Sequence, residues 1–199
     1  RQRQMCIRDR TYNSTNRVVS FPVNLTAGQT QIYSFTVKAN VGSYYPTVTL
    51  FADSVTTDAI PSTWTINSST NGTWLVSTAR RASPTRSYYS QNIDIASDQQ
   101  LILANTINLG SNPPPLIFNH YFDTEGNYDG GVLEISTNNG STWTDLQSNI
   151  LSGGYTDIMD ASTLIPNRRA WTGSSNGFIR TKVRLSSYAN QNVKIRFRF

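Results

Sequence analysis

The chain has 199 residues, of which 37% are hydrophobic and 15% charged, with a formal net charge of +5. That balance excludes a disordered acidic or basic tail, and no apolar run approaches the roughly 20 residues of a membrane-spanning helix. The single cysteine, Cys6, lies among the first ten residues, so the rest of the chain has no disulfide, no thiolate metal site and no cysteine nucleophile.

Residues 1–10, RQRQMCIRDR, have no periodicity and no continuity with the residues after them. They read as a translated sequencing-adapter scar and stand outside the fold. They carry Arg1, Arg3, Arg8 and Arg10 against Asp9, so they supply +3 of the net charge and leave +2 for the remainder. Residues 18–23, 31–37 and 47–52 then read as short strands, the second with clean alternation. Three such strands are too few to bury two sheets, so residues 11–58 are expected to be the C-terminal part of an immunoglobulin-like β-sandwich. A polar stretch, 53–61, leads out of it, and residues 59–199 form the second unit.

In that unit Trp64 and Trp74 sit in strand-like pieces around a turn, and residues 78–86 read as a polar, basic loop. Residues 101–104 and 116–122 are strands. Residues 132–136 pair with 142–146 across Asn138-Asn139-Gly140, since Asn-Gly is a strong hairpin signal. Residues 179–185 and 193–199 alternate, so that Arg180, Lys182 and Arg184 share one face and Lys194, Arg196 and Arg198 share another. No helical period is sustained after Ser62. The pattern predicts an all-β protein, an antiparallel sandwich of jelly-roll type. The sequence stops at Phe199 in mid-strand, and a natural continuation is expected.

The order of signals from about Trp64 onward is specific. It runs through LIFNHYFDTE (116–125), YDGGVLEIS (128–136), NGSTW (139–143), GGY (153–155), AWTG (170–173) and VRLSSYANQNVKIRFR (183–198). This order resembles the MAM-like jelly-roll domains found beside peptidase domains in secreted bacterial proteins, including immune-inhibitor-A-like and subtilisin-like proteins. The resemblance implies a non-catalytic accessory module of a secreted or cell-surface protein. It further implies a catalytic domain in the same polypeptide, and a closing strand beyond Phe199.

The residues agree on the absence of chemistry. There is no His-Glu-x-x-His, no Gly-x-Ser-x-Gly and no P-loop, and the one histidine, His120, alternates with Leu116, Phe118 and Phe122. A buried, hydrogen-bonded His120 is expected. Asp123, Glu125 and Asp129 lie within seven positions and could hold Ca²⁺, the only cofactor the sequence suggests, although the spacing is not that of an EF-hand. The alternative is an ion pair from this corner, Glu125 with Arg169, which would pin the long 153–173 loop to the sheet; Asp129 and Arg168 are the neighbouring candidates. Gly130-Gly131 fits a bulge or a close backbone approach.

Among loop aromatics, Tyr155, Trp171 and Phe178 could stack on sugar rings, with core packing as the alternative. The expected partners are a glycan or a protein surface; a purely structural spacer is the other candidate role. Nucleic acid is set aside, because alternating cations on a strand more often form a solvated, aggregation-resistant face.

Overall fold

The computed structural model describes residues 11–13, 18–20, 48–68, 72–82 and 85–199. The chain divides into two compact units, 1–44 and 45–199. In the first, β1 (Thr11–Asn13) pairs antiparallel with β2 (Val18–Ser20), Thr11 opposite Ser20. The expected strand at 31–37 and the decapeptide 1–10 lie outside the described residues.

The second unit is all-β and antiparallel. Its strands are β3 (Trp64–Ser68), β4 (Trp74–Ser77), β5 (Ser87–Ser90), β6 (Gln99–Leu103), β7 (Ile107–Asn108), β8 (Leu116–His120), β9 (Val132–Ser136), β10 (Thr144–Asp145), β11 (Ile150–Ser152), β12 (Asp157–Ile158), β13 (Arg169–Ala170), β14 (Ile179–Val183) and β15 (Asn192–Arg198). The large sheet runs β10-β9-β15-β6-β3, with β7 also on β15, and the small sheet runs β11-β14-β8. Two ribbons, β4-β5 and β12-β13, complete the unit.

Period two decides which side chains go inward. Leu133 and Ile135 of β9, Val193, Ile195 and Phe197 of β15, and Leu101 and Leu103 of β6 share the inner face of the large sheet. Leu116, Phe118, His120, Thr181 and Val183 form the inner face of the small one. The two faces meet where the rings of Phe118 and Phe197 touch edge-on, centroids 5.0 Å apart. The 138–140 turn closes the β9–β10 hairpin with Asn139 and Gly140 both at positive φ, and the Ser136 hydroxyl accepts the Gly140 N–H at 2.8 Å.

The second compact unit begins at residue 45, so the polar stretch 53–61 lies within it. Residues 48–52 form no strand; Phe51 packs edge-on against Trp64, with centroids 5.6 Å apart. The Asp53 carboxylate accepts the Trp64 indole N–H at 2.7 Å and the Tyr88 hydroxyl at 2.5 Å. Burial alone would raise the Asp53 pKa, but the hydrogen bonds from Tyr88, Trp64 and the Val55 N–H outweigh it and hold the carboxyl below its ordinary range. This segment belongs to the second unit because its partners are there.

Candidate functional site

The outer face of the large sheet carries a chain of paired charges. Arg196 stands opposite Glu134 in the register, and Glu134 is only 3% exposed. Arg196 donates from Nε to Glu134 Oε2 at 2.5 Å and from Nη1 to Gln100 Oε1 at 2.8 Å. The other Glu134 oxygen meets Arg168 Nη1 at 2.8 Å, and Arg168 Nη2 reaches Asp145 Oδ2 at 2.5 Å. The Tyr155 hydroxyl donates to Asp145 Oδ1 and accepts the Leu133 N–H, each at 2.9 Å. Farther along β15, Arg198 grips Asp98 with two hydrogen bonds of 2.8 and 2.9 Å. Burial opposes the Arg168 charge, but its bonds to Asp145 and Glu134 win and push its pKa above the usual value. Burial and the adjacent Asp145 push the Tyr155 phenol up, so it stays a neutral donor.

Beside this network lies an open groove of about 440 Å³. Its floor is Lys194 and Arg196 on β15, Gln100 and Ile102 on β6, and Thr65 and Asn67 on β3; the hairpin segment Asn139–Trp143 forms one wall. The Arg196 guanidinium lies over the Trp143 ring, 4.4 Å from its centroid. Arg196 is thus held from three sides, by an acid, an amide and an indole. The groove therefore presents a fixed tryptophan among amide and hydroxyl groups, with Lys194 as a cation that no ion pair among the described residues engages.

The outer face of the small sheet is different. Lys182 stands opposite Ile117 and Arg180 opposite Asn119. One step beyond, Phe178 meets Tyr121, centroids 5.9 Å apart, and the Arg80 guanidinium lies 4.4 Å from the Tyr121 ring centre. Arg180, Lys182 and Arg184 are all exposed.

The expected site residues fall in three places. Phe178 is at the surface, 39% exposed, as one end of that strip. Tyr155 and Trp171 are in the core, at 8% and 4%, with their rings edge-on to each other at 4.6 Å. The 153–173 loop folds Trp171 against Phe118 and His120 of the small sheet's inner face, and Tyr155 packs on Trp171 with its hydroxyl bonded to Leu133 and Asp145. Trp171 donates its indole N–H to the Gly153 carbonyl at 2.9 Å. Gly153 itself sits at φ +68°, where an added Cβ would come 2.6 Å from Thr181 Oγ1.

The 153–173 loop is pinned by an arginine, but by Arg168 on Glu134 and Asp145 rather than by Arg169 on Glu125. The short β12-β13 ribbon sets the phase of this pair: Arg169 is exposed and its Nη2 reaches the Thr156 carbonyl at 3.3 Å.

Asp123, Glu125 and Asp129 do not form a metal-ligating group; among the described residues no three His, Cys, Asp or Glu side chains stand so placed. The corner is held by hydrogen bonds instead. The Glu125 carbonyl accepts the Asp129 N–H at 3.0 Å, Thr124 Oγ1 donates to the Asp129 carbonyl at 3.1 Å, and Tyr121 donates to Asp123 at 3.1 Å. Gly130 is a close approach: a Cβ there would lie 2.6 Å from Met159 Sδ.

His120 is packed among Phe118, Phe122 and Trp171, and its Nε2 is 2.9 Å from Thr181 Oγ1. Thr181 gives its own proton to the Gly153 carbonyl at 2.8 Å, so it accepts from His120, which assigns the Nε2–H tautomer. Burial pushes the His120 pKa down to about 4.

The groove residues Trp143, Gln100 and Asn67 had no signal of their own in the sequence. Only the phase of β15, which puts Lys194 and Arg196 outward, pointed at that face. No protein-family model matches the chain, and no curated protein or solved structure matches it either.

Proposed function

We propose that residues 45–199 are a non-catalytic recognition module of a larger secreted or cell-surface bacterial protein. The module would be of the MAM-like jelly-roll kind that accompanies peptidase domains, and it would hold a glycan in the groove over the large sheet. The observation that carries the reading is the groove's lining. A tryptophan fixed on a guanidinium offers an apolar ring face, and Asn67, Thr65 and Ser141 offer donors and acceptors around it. Sugar rings have the matching chemistry, with apolar C–H faces and hydroxyls at the rim. The open shape suits a polymer that passes through rather than a small molecule enclosed on all sides.

Affinity electrophoresis against a panel of neutral polysaccharides tests this. At least one should retard the full chain, and Trp143→Ala should abolish the retardation while leaving the melting midpoint within a few degrees. If no polymer retards the chain, the groove is not a glycan site and a structural spacer becomes the better account.

A further inference from the structure

We propose a second binding surface, independent of the groove: the outer face of the small sheet docks an anionic polysaccharide, one that carries carboxylates or sulfates at regular intervals along the chain. The face is a strip about 20 Å long, from the Phe178–Tyr121 ring pair through Arg180 and Lys182 to Arg184, since alternate residues of a strand are about 6.6–7 Å apart. Arg80, over the Tyr121 ring, adds a fourth cation at the aromatic end. No ion pair among the described residues includes Arg80, Arg180, Lys182 or Arg184. An acid does touch the strip at its aromatic end, where Asp123 accepts the Tyr121 hydroxyl at 3.1 Å.

Cations on a strand are commonly a guard against edge-to-edge pairing. That does not account for these. β14 is the middle strand of β11-β14-β8: β8 pairs it over Ile179–Val183, and β11 pairs it at Lys182 and Val183. Arg180 and Lys182 on the outer face of this middle strand, and Arg184 just past its end, are like charges that repel one another, and a polyanion is what would relieve them.

The strip's other groups select among polyanions. Asn119, opposite Arg180, and Ser152, opposite Lys182, supply amide and hydroxyl partners for sugar hydroxyls. The Phe178–Tyr121 pair can take one sugar face. A nucleic-acid single strand needs a ring for each of several successive bases, and here the rings are confined to one end. A duplex is read by an element that enters its groove, and a flat sheet face does not.

The test is retention of the full chain on heparin and on polygalacturonate, against dextran and a single-stranded oligonucleotide, as a function of salt. The variant is Arg180→Gln/Lys182→Gln/Arg184→Gln. All three side chains are exposed, so its melting midpoint should match that of the parent. The arginines of residues 1–10 are present in every variant, so the difference isolates the strip. Affinity for the anionic polymers should fall roughly tenfold or more at low salt, with a shallower salt dependence. Phe178→Ala should weaken binding a few-fold without changing the salt slope. Lys194→Gln, in the groove, should change nothing on polygalacturonate.

Equal retention of parent and triple variant would overturn the proposal, as would retention of the parent no stronger on polygalacturonate than on dextran. An oligonucleotide that binds more tightly than polygalacturonate, and loses its binding in the triple variant, would reassign the strip to nucleic acid. Loss of neutral-glycan binding in Trp143→Ala reads the groove alone, so the two surfaces fail separately.

Discussion

β14 and β15 carry nearly the same pattern, alternating Arg and Lys with apolar or hydroxyl residues, and meet opposite fates. On β15, Arg196 and Arg198 are consumed by Glu134, Gln100 and Asp98 and are largely covered; the Arg196 side chain is 12% exposed. Arg180 and Lys182 of β14, with Arg184 one residue past its end, stand in solvent, and the residues opposite the first two are Asn119 and Ile117. The difference does not lie in either strand. β15 has β9 and β6 as neighbours, and their register brings Glu134 and Gln100 alongside Arg196. The neighbours of β14 bring Asn119, Ile117 and Ser152. A charge's role is set by the strand beside it, which hydrogen-bonding order decides and local sequence does not.

The largest test of the contrast is Glu134→Gln. It leaves the guanidinia of Arg196 and Arg168 without their shared carboxylate on a covered face, and should cost about 3–5 kcal/mol. Urea unfolding measures it. A loss below about 1 kcal/mol would mean the β15 network is worth no more than a surface pair, and the two strands would not differ in energy after all.

A second effect separates the sheets by pH. His120, on the inner face of the small sheet, has its pKa lowered to about 4 by burial, against 6.5 for an ordinary histidine. Between those values the unfolded chain binds the proton and the folded one does not, so folding excludes it. The His120 contribution is fully present above about pH 6.5 and is lost as the pH falls toward 4. The loss is on the order of 3 kcal/mol at about 1.4 kcal/mol per unit. His120→Phe keeps the ring packing, leaves Thr181 bonded to Gly153, and should flatten the stability curve over that window. A slope that persists unchanged in His120→Phe would place the proton uptake elsewhere.

The features legible in the sequence are the local ones. Alternation in 179–185 and 193–199 marked those strands and their faces, and Asn139-Gly140 marked the hairpin that holds 132–136, because period and turn chemistry act within a few residues. The placement of residues 51–53 was not legible, because Phe51 and Asp53 are tied to Trp64 and Tyr88, contacts no local pattern announces. That an arginine pins the loop was readable; that it is Arg168 and not Arg169 was not, since a two-residue strand has no phase to count. Tyr155 and Trp171 are flanked by glycines, threonines and other small residues, which hid that the loop turns them inward. The groove was the least legible, because Trp143, Gln100 and Asn67 come from three separate strands and turns.

The smallest effect is the most direct test of the comparison, because it gives β14 what β15 already has. Asn119→Asp places an acid opposite Arg180 on an exposed cross-strand pair, at a position whose side chain faces solvent. A new pair of that kind should add about 0.2–1 kcal/mol, read as a small rise in the urea midpoint. The same change should weaken retention on heparin and polygalacturonate, since it neutralises one rung of the strip. Together these outcomes would mean that β14 gives up a little stability to keep its cations free. If stability rises and polyanion retention is unchanged, the free cations of β14 are not a docking ladder. If stability falls, the register opposite Arg180 is not what sets its charge environment, and the contrast between the strands has another cause.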